Sequence, residues 1–144
     1  MGMTSVSVFI SYHTETGIDY ARECQRVFSE AGHSAWMWDS DRTPGALIGD
    51  EIAEKIQHCD FSLYLATCEE VELRRNGQPW ERNMAWGENK VIWTLTLDSA
   101  FVLPLLGKYN YDVVSAETVA AKCREIADQL RTTMSIEKPV ARPS

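Results

Sequence analysis

In the segment GQPWERNMAWGENKVIW (77–93), Glu81 stands directly against Trp80 at the start of a helix-like run. An acid in a first helical turn has a plain explanation: it complements the positive end of the helix dipole. It also has a chemical one. A carboxylate held out of bulk water stabilises positive charge that develops in a transition state. At helical period, Trp80, Met84 and Gly87 share one face, which is expected to pack on a sheet. Glu81, Ala85 and Glu88 fall on its flank, with Arg82 and Trp86 opposite. Glu88 reads as a solvated acid and Trp86 as a contact residue.

Other chemistry-bearing residues cluster at the ends of apolar runs. Tyr12 and His13 close the run SVSVFISY (5–12), and Trp36 and Trp38 alternate around Met37. Either pair reads as core or as the wall of a binding site. Asp39, Arg42 and the Pro44-Gly45 turn follow Trp38. Familiar cradles are missing: there is no G-x-G-x-x-G, no P-loop and no H-E-x-x-H. His13, His33 and His58 are scattered, so no metal site is expected. A trio of Ser11, His13 and an Asp can be assembled on paper, but no nucleophile elbow supports it.

The elements that must position these residues alternate. Strands are expected at 5–12, 34–38, 61–67 and 90–97, with an edge strand near 109–113. Helices are expected at 16–32, over the stripe Ile48, Ile52, Ile56 and Cys59, at 79–87 and at 115–130. Thr16 with Asp19 suggests a capping box for the first, and Gly32 its C-terminal stop. Such alternation implies an α/β fold, an open parallel sheet with helices on both faces, and ligands at the carboxyl ends of the strands. One domain is expected over 1–133, followed by a flexible tail, 134–144.

The 144 residues carry a net charge of −7, with 44% hydrophobic and 24% charged residues. That is the composition of a globular domain. The charge argues against a nucleic-acid binder, and no apolar run approaches the roughly 18 residues of a membrane span. No signal peptide is expected at the start. Cys24, Cys59, Cys68 and Cys123 form no C-x-x-C pair and read as buried free thiols of a reducing, cytoplasmic compartment.

Three segments read together, VFISYH, WDSDRTPG and WERNMAWGENKVIW, resemble the Toll/interleukin-1 receptor (TIR) domain. The resemblance covers roughly residues 5–130. It joins FISY, an Asp five residues ahead of Pro-Gly, and Glu-x-x-x-Ala before a Gly-x-x-Lys strand entry. It implies a flavodoxin-like five-stranded sheet and a BB loop running from Asp39 through Pro44, Gly45 and Leu47 to about Ile48. Some members of that family only assemble with other TIR domains. Others cleave NAD+ at the nicotinamide–ribose bond, using a glutamate four residues ahead of a small residue; that position here is Glu81, with Ala85. Many cleaving members have Trp four residues before the glutamate, where this chain has Gly77.

The function implied is an NAD+ glycohydrolase or cyclase of bacterial, anti-phage immune signalling. It would give nicotinamide and ADP-ribose or a cyclic isomer, with NAD+ as substrate and no cofactor. Tyr12, His13, Trp38 and Arg42 would bind the substrate. Homotypic assembly through the BB loop, and a downstream effector that senses the product, are the implied partners. The competing readings are a non-catalytic TIR adaptor and a nucleoside 2-deoxyribosyltransferase-like enzyme, whose acid is a nucleophile.

Overall fold

Strands and helices alternate along the chain: β1 (Ser7–Ser11), α1 (Ile18–Glu30), β2 (Ser34–Trp36), α2 (Trp38–Asp41), α3 (Ile48–His58), β3 (Phe61–Ala66), α4 (Gln78–Gly87), β4 (Val91–Thr96), β5 (Tyr111–Val113) and α5 (Val119–Ile136). This computed structural model describes residues 5–45, 47–68, 78–98 and 111–136. The strands form one sheet of order β2-β1-β3-β4-β5. Every pairing is parallel. This is the flavodoxin-like order, and its switch point lies between β1 and β3.

Helices cover both faces, and β1 shows how the strand period serves them. Val8, Ile10 and Tyr12 join a core with Ala21, Cys24, Val27 and Phe28 of α1 and Val119, Cys123 and Ile126 of α5. Phe9, one residue out of phase, joins Ile52 and Ile56 of α3 and Ala85 of α4 on the other face. Side chains on a strand alternate between faces, so Ser11 follows Phe9 toward α3 and α4. All six residues of β3 are buried, as a central parallel strand requires. A fully buried side chain such as Phe28 contributes about 2 kcal/mol. All four cysteines are free and buried, with the Cys123 thiol 2.8 Å from that of Cys24 where α5 packs on α1.

Several elements depart from expectation. The second strand stops at Trp36, and Trp38–Asp41 form a short helix instead. The Asp41 carboxylate accepts the Met37 N–H at 3.0 Å, closing that turn from behind in the manner of a capping box. Helix α1 starts after Gly17, with no side-chain cap. The Thr16 hydroxyl instead meets Thr67 Oγ1 at 2.7 Å. A Cβ on Gly17 would meet His13 O and Thr67 Oγ1, each at 3.1 Å, so glycine lets the loops after β1 and β3 close together. Gly32, at φ 90°, ends α1 as expected. There His33 N–H donates to Phe28 O at 2.9 Å, the long bond of a Schellman motif.

Ile48 is 56% exposed and leaves the α3 stripe to Ile52, Ile56 and Cys59. Helix α5 begins at Val119, after a turn in which Ser115 N–H donates to Thr118 Oγ1, and runs to Ile136. The helix therefore takes in the first residues of the expected tail; 137–144 lie outside the described residues.

Candidate active site

Glu81 sits in the first turn of α4, at the carboxyl end of the sheet. The helix face differs from the expected one. Ala85 is fully buried, Met84 and Trp86 pack against its cluster, and Gly87 and Glu88 are exposed. The sheet-facing line therefore runs through Ala85 and, one turn earlier, Glu81. Trp86 is a packing residue and not a free contact. The side chains of Trp80 and Arg82, and all of Gly77, lie outside the described residues.

From this position Glu81 reaches the last residue of β1. The Ser11 hydroxyl donates to Glu81 Oε1 at 2.7 Å. Burial pushes the Glu81 carboxyl up to about 7, against the opposing pull of that hydrogen bond. Desolvation disfavours the charged form and a donated hydrogen bond favours it; here desolvation wins. The carboxyl therefore changes charge near neutral pH, the property that suits a group meant to receive a proton or hold a nearby cation.

Tyr12 ends on the opposite face of β1. Its ring is buried, and its hydroxyl accepts the Asp39 N–H at 2.9 Å. Burial raises the phenol pKa, and the charges of Asp39 and Glu81 add to the rise. Tyr12 thus holds the start of α2 over the sheet end. The Asp39 carboxylate pairs with Arg22 of α1 at 2.9 Å, which fixes α2 from the other side. His13 is half-buried. Its Nδ1 accepts the N–H groups of Glu15 and Thr16, both at 3.3 Å, and so shapes the loop into α1.

Trp38 opens α2 and packs against both cores. Trp36 meets its ring edge-on at 6.3 Å. The Arg42 guanidinium lies 5.5 Å from the ring centroid and donates to Asp39 O at 2.9 Å. Arg42 therefore closes the last turn of α2 while stacking on its first residue. In the BB-loop segment, Pro44 and Gly45 are exposed, with Gly45 at φ 85°. Ala46 lies outside the described residues, and Leu47 is 73% exposed. Glu51 anchors the loop: both of its oxygens accept the Thr43 N–H at 3.0 Å, and this bond lowers its pKa.

The structure therefore brings Tyr12, Trp38, Asp39 and Arg42 into one bonded group and sets Glu81 beside it through Ser11. His13 shapes the adjoining loop, and Pro44, Gly45 and Leu47 are exposed. Sequence reasoning passed over Ser11, Glu51 and Thr67 as partners. A cavity of about 510 Å³ lies elsewhere, between α1 and the start of α5. Its cations, Arg22 and Arg26, are already paired with acids, so its size is no argument for chemistry. Among the described residues no group of three or more His, Cys, Asp or Glu could hold a metal ion.

Comparison with known proteins agrees with this fold. A prokaryotic SEFIR domain superposes with a TM-score of 0.62 at 17% identity, over 88% of this chain and 99% of that one. The CMP N-glycosidase BcmB of Clostridium botulinum gives 0.61 at 15% identity, over 86% and 99%. A 2-deoxyribosyltransferase from Bacillus psychrosaccharolyticus gives 0.61 at 10% identity, over 81% and 95%. Likeness at these identities speaks for the fold. No curated protein sequence matches the chain. The family model of the TIR domain matches residues 8–131, nearly the whole described structure, and on that match the chain belongs to the TIR-domain family.

Proposed function

We propose that this TIR domain cleaves the nicotinamide–ribose bond of NAD+, with Glu81 as the catalytic carboxylate. The observation that carries the reading is Glu81 itself. It is an acid at the carboxyl end of a doubly wound sheet, beside the switch point, with a pKa pushed up to about 7 by burial. When the C1′–N bond breaks, its electron pair goes to the nicotinamide, which leaves neutral, and positive charge builds on the ribose. No acid is needed for the leaving group. A carboxylate in a desolvated site stabilises that charge. Water then attacks C1′ and gives up a proton, which a group with a pKa near 7 accepts readily. If the substrate's own adenine or ribose oxygen attacks instead, the product is cyclic. Tyr12, His13, Trp38 and Arg42 are assigned to substrate binding, with Trp38 as a stacking surface and Arg42 and His13 as donors to the phosphates.

The test is incubation with NAD+ and chromatography of the products, for the protein and for Glu81→Gln. The variant keeps the shape and removes the charge, so turnover should fall about 10²–10³-fold. Wild-type cleavage by a folded Glu81→Gln protein would remove Glu81 from the chemistry.

A second reading has its own support, because two of the fold relatives are a CMP N-glycosidase and a 2-deoxyribosyltransferase. On that reading Glu81 attacks the sugar of a nucleoside or nucleotide as a nucleophile. A parallel incubation with CMP and with a deoxynucleoside separates the two. TIR domains generally self-associate, and the exposed Leu47 and Ile48 offer an apolar contact for a second copy. If no N-glycoside is cleaved, assembly alone remains as the function.

A further inference from the structure

The contact between Ser11 and Glu81 joins residues 70 positions apart, from the end of β1 to the first turn of α4, and the serine is only 1% exposed. The strand fixes the backbone that carries this hydroxyl, so its reach is limited to rotation about its own side-chain bond. We propose that Ser11 is a positioning residue for Glu81: its hydroxyl clamps Oε1, fixes the side from which Oε2 meets a ligand, and biases the carboxyl toward its ionised form. The ligand part rests on the function proposed above; the clamp itself does not.

Among the described residues, the surroundings leave that role to Ser11. From β1, Tyr12 is the titratable neighbour whose phenol feels the charge of Glu81. From α2, Asp39 stands behind Tyr12 and is paired with Arg22. Helix α3 brings Ile52 and Ile56 to the shared cluster, while its carboxylate Glu51 is committed to the Thr43 N–H. From β3 comes the buried phenol of Tyr64, and from β4 the side chain of Ile92. Burial and the Ser11 hydroxyl are the causes that act on Glu81 itself. With no cation among these described groups, the Ser11 hydroxyl is the described group that favours the charged state.

The experiment titrates the Glu81 carboxyl directly. Carbon-13 NMR of glutamate-labelled protein, with Glu81→Gln to identify the signal, gives the midpoint without reference to any substrate. Ser11→Thr and Ser11→Val add similar bulk and differ in the hydroxyl, so their comparison stands even if Ser11→Ala folds poorly. The midpoint should rise in Ser11→Val and Ser11→Ala relative to Ser11→Thr by about one pH unit, roughly a tenfold loss of ionised fraction below it. The acidic limb of kcat/KM for NAD+ should move with it, so that much of the lost rate returns at higher pH. Equal midpoints in Ser11→Thr and Ser11→Val overturn the proposal, as does a loss of rate that is the same at every pH. Should no protein in the series cleave NAD+, the proposed function falls, and the midpoints still decide whether Ser11 clamps Glu81.

Discussion

Glu81 is placed where a carboxylate costs the fold something. Its ordinary pKa is 4.5, and burial carries it to about 7 in the native protein. Between those values the folded chain binds more protons at this site than the unfolded chain does. Stability contributed by the protonated form is complete at low pH and declines as pH rises toward about 7. The full shift corresponds to about 3 kcal/mol, and the partial exposure of Glu81 reduces this to roughly 1–3 kcal/mol. Glu81→Gln is neutral at every pH. It should therefore melt about 3–8 °C above the parent at pH 8 and show little gain near pH 4.5. Thermal melts of both proteins across that range check this, and a difference that does not vary with pH would count against a desolvated carboxyl. Glu81 stands out in the sequence because it directly follows a tryptophan at a helix start. Its partner does not. In the sequence Ser11 enters only a paper trio with His13 and an Asp, and no local pattern reveals a contact across 70 positions.

Among the elements, α2 carries most of what was hidden. Trp36 and Trp38 look like alternate residues of one strand, but the chain turns at Met37, and Trp38 begins a helix. The reasons are tertiary and polar: the Tyr12 hydroxyl takes the Asp39 N–H, Arg22 takes the Asp39 carboxylate, and Asp41 takes the Met37 N–H. A strand-like pattern loses to three such bonds in a segment this short. The turn also lifts Arg42 onto the face of Trp38, a cation–π contact. In the longer elements, where apolar stripes run over many residues, expectation and structure agree within a few positions. The departure in α4 is instructive: helical period puts Met84 and Gly87 on the sheet-facing side, whereas Ala85 is the fully buried residue and Gly87 is exposed. If Arg42 binds phosphate, it contacts ground and transition states alike, so Arg42→Ala should raise KM for NAD+ several-fold with kcat nearly kept. Steady-state kinetics decide this; an unchanged KM would assign the phosphates to other donors, such as the backbone amides at the start of α1.

The molecule as a whole gathers these pieces by topology. Strand order β2-β1-β3-β4-β5 reverses between β1 and β3, and the loops leaving those two strands are joined by Thr16 and Thr67. Ser11, Tyr12, Glu81 and α2 surround the same end of the sheet. That the sheet would be parallel, five-stranded and covered on both sides was readable from alternation alone. None of the described helices is long and apolar enough to cross a membrane. A net charge of −7 gives no general field to draw in a dianion, so on the proposed function binding would depend on local donors and on what a neighbouring copy adds. Leu47, 73% exposed, and Ile48, 56% exposed, form an apolar pair beside a Pro-Gly turn, and the Glu51–Thr43 bond holds the base of that loop against α3. An apolar pair exposed to water suits docking against a second copy of the chain. Burying a leucine there contributes about 1.5–3 kcal/mol, which is roughly a tenfold to hundredfold change in the association constant. Specific activity should therefore rise with protein concentration across the micromolar range. Leu47→Asp, at a site that touches no core, should keep the melting temperature and move the half-maximal concentration upward by at least about tenfold. Activity that is flat with concentration in the parent, or unmoved by Leu47→Asp, would mean that each domain completes its own site.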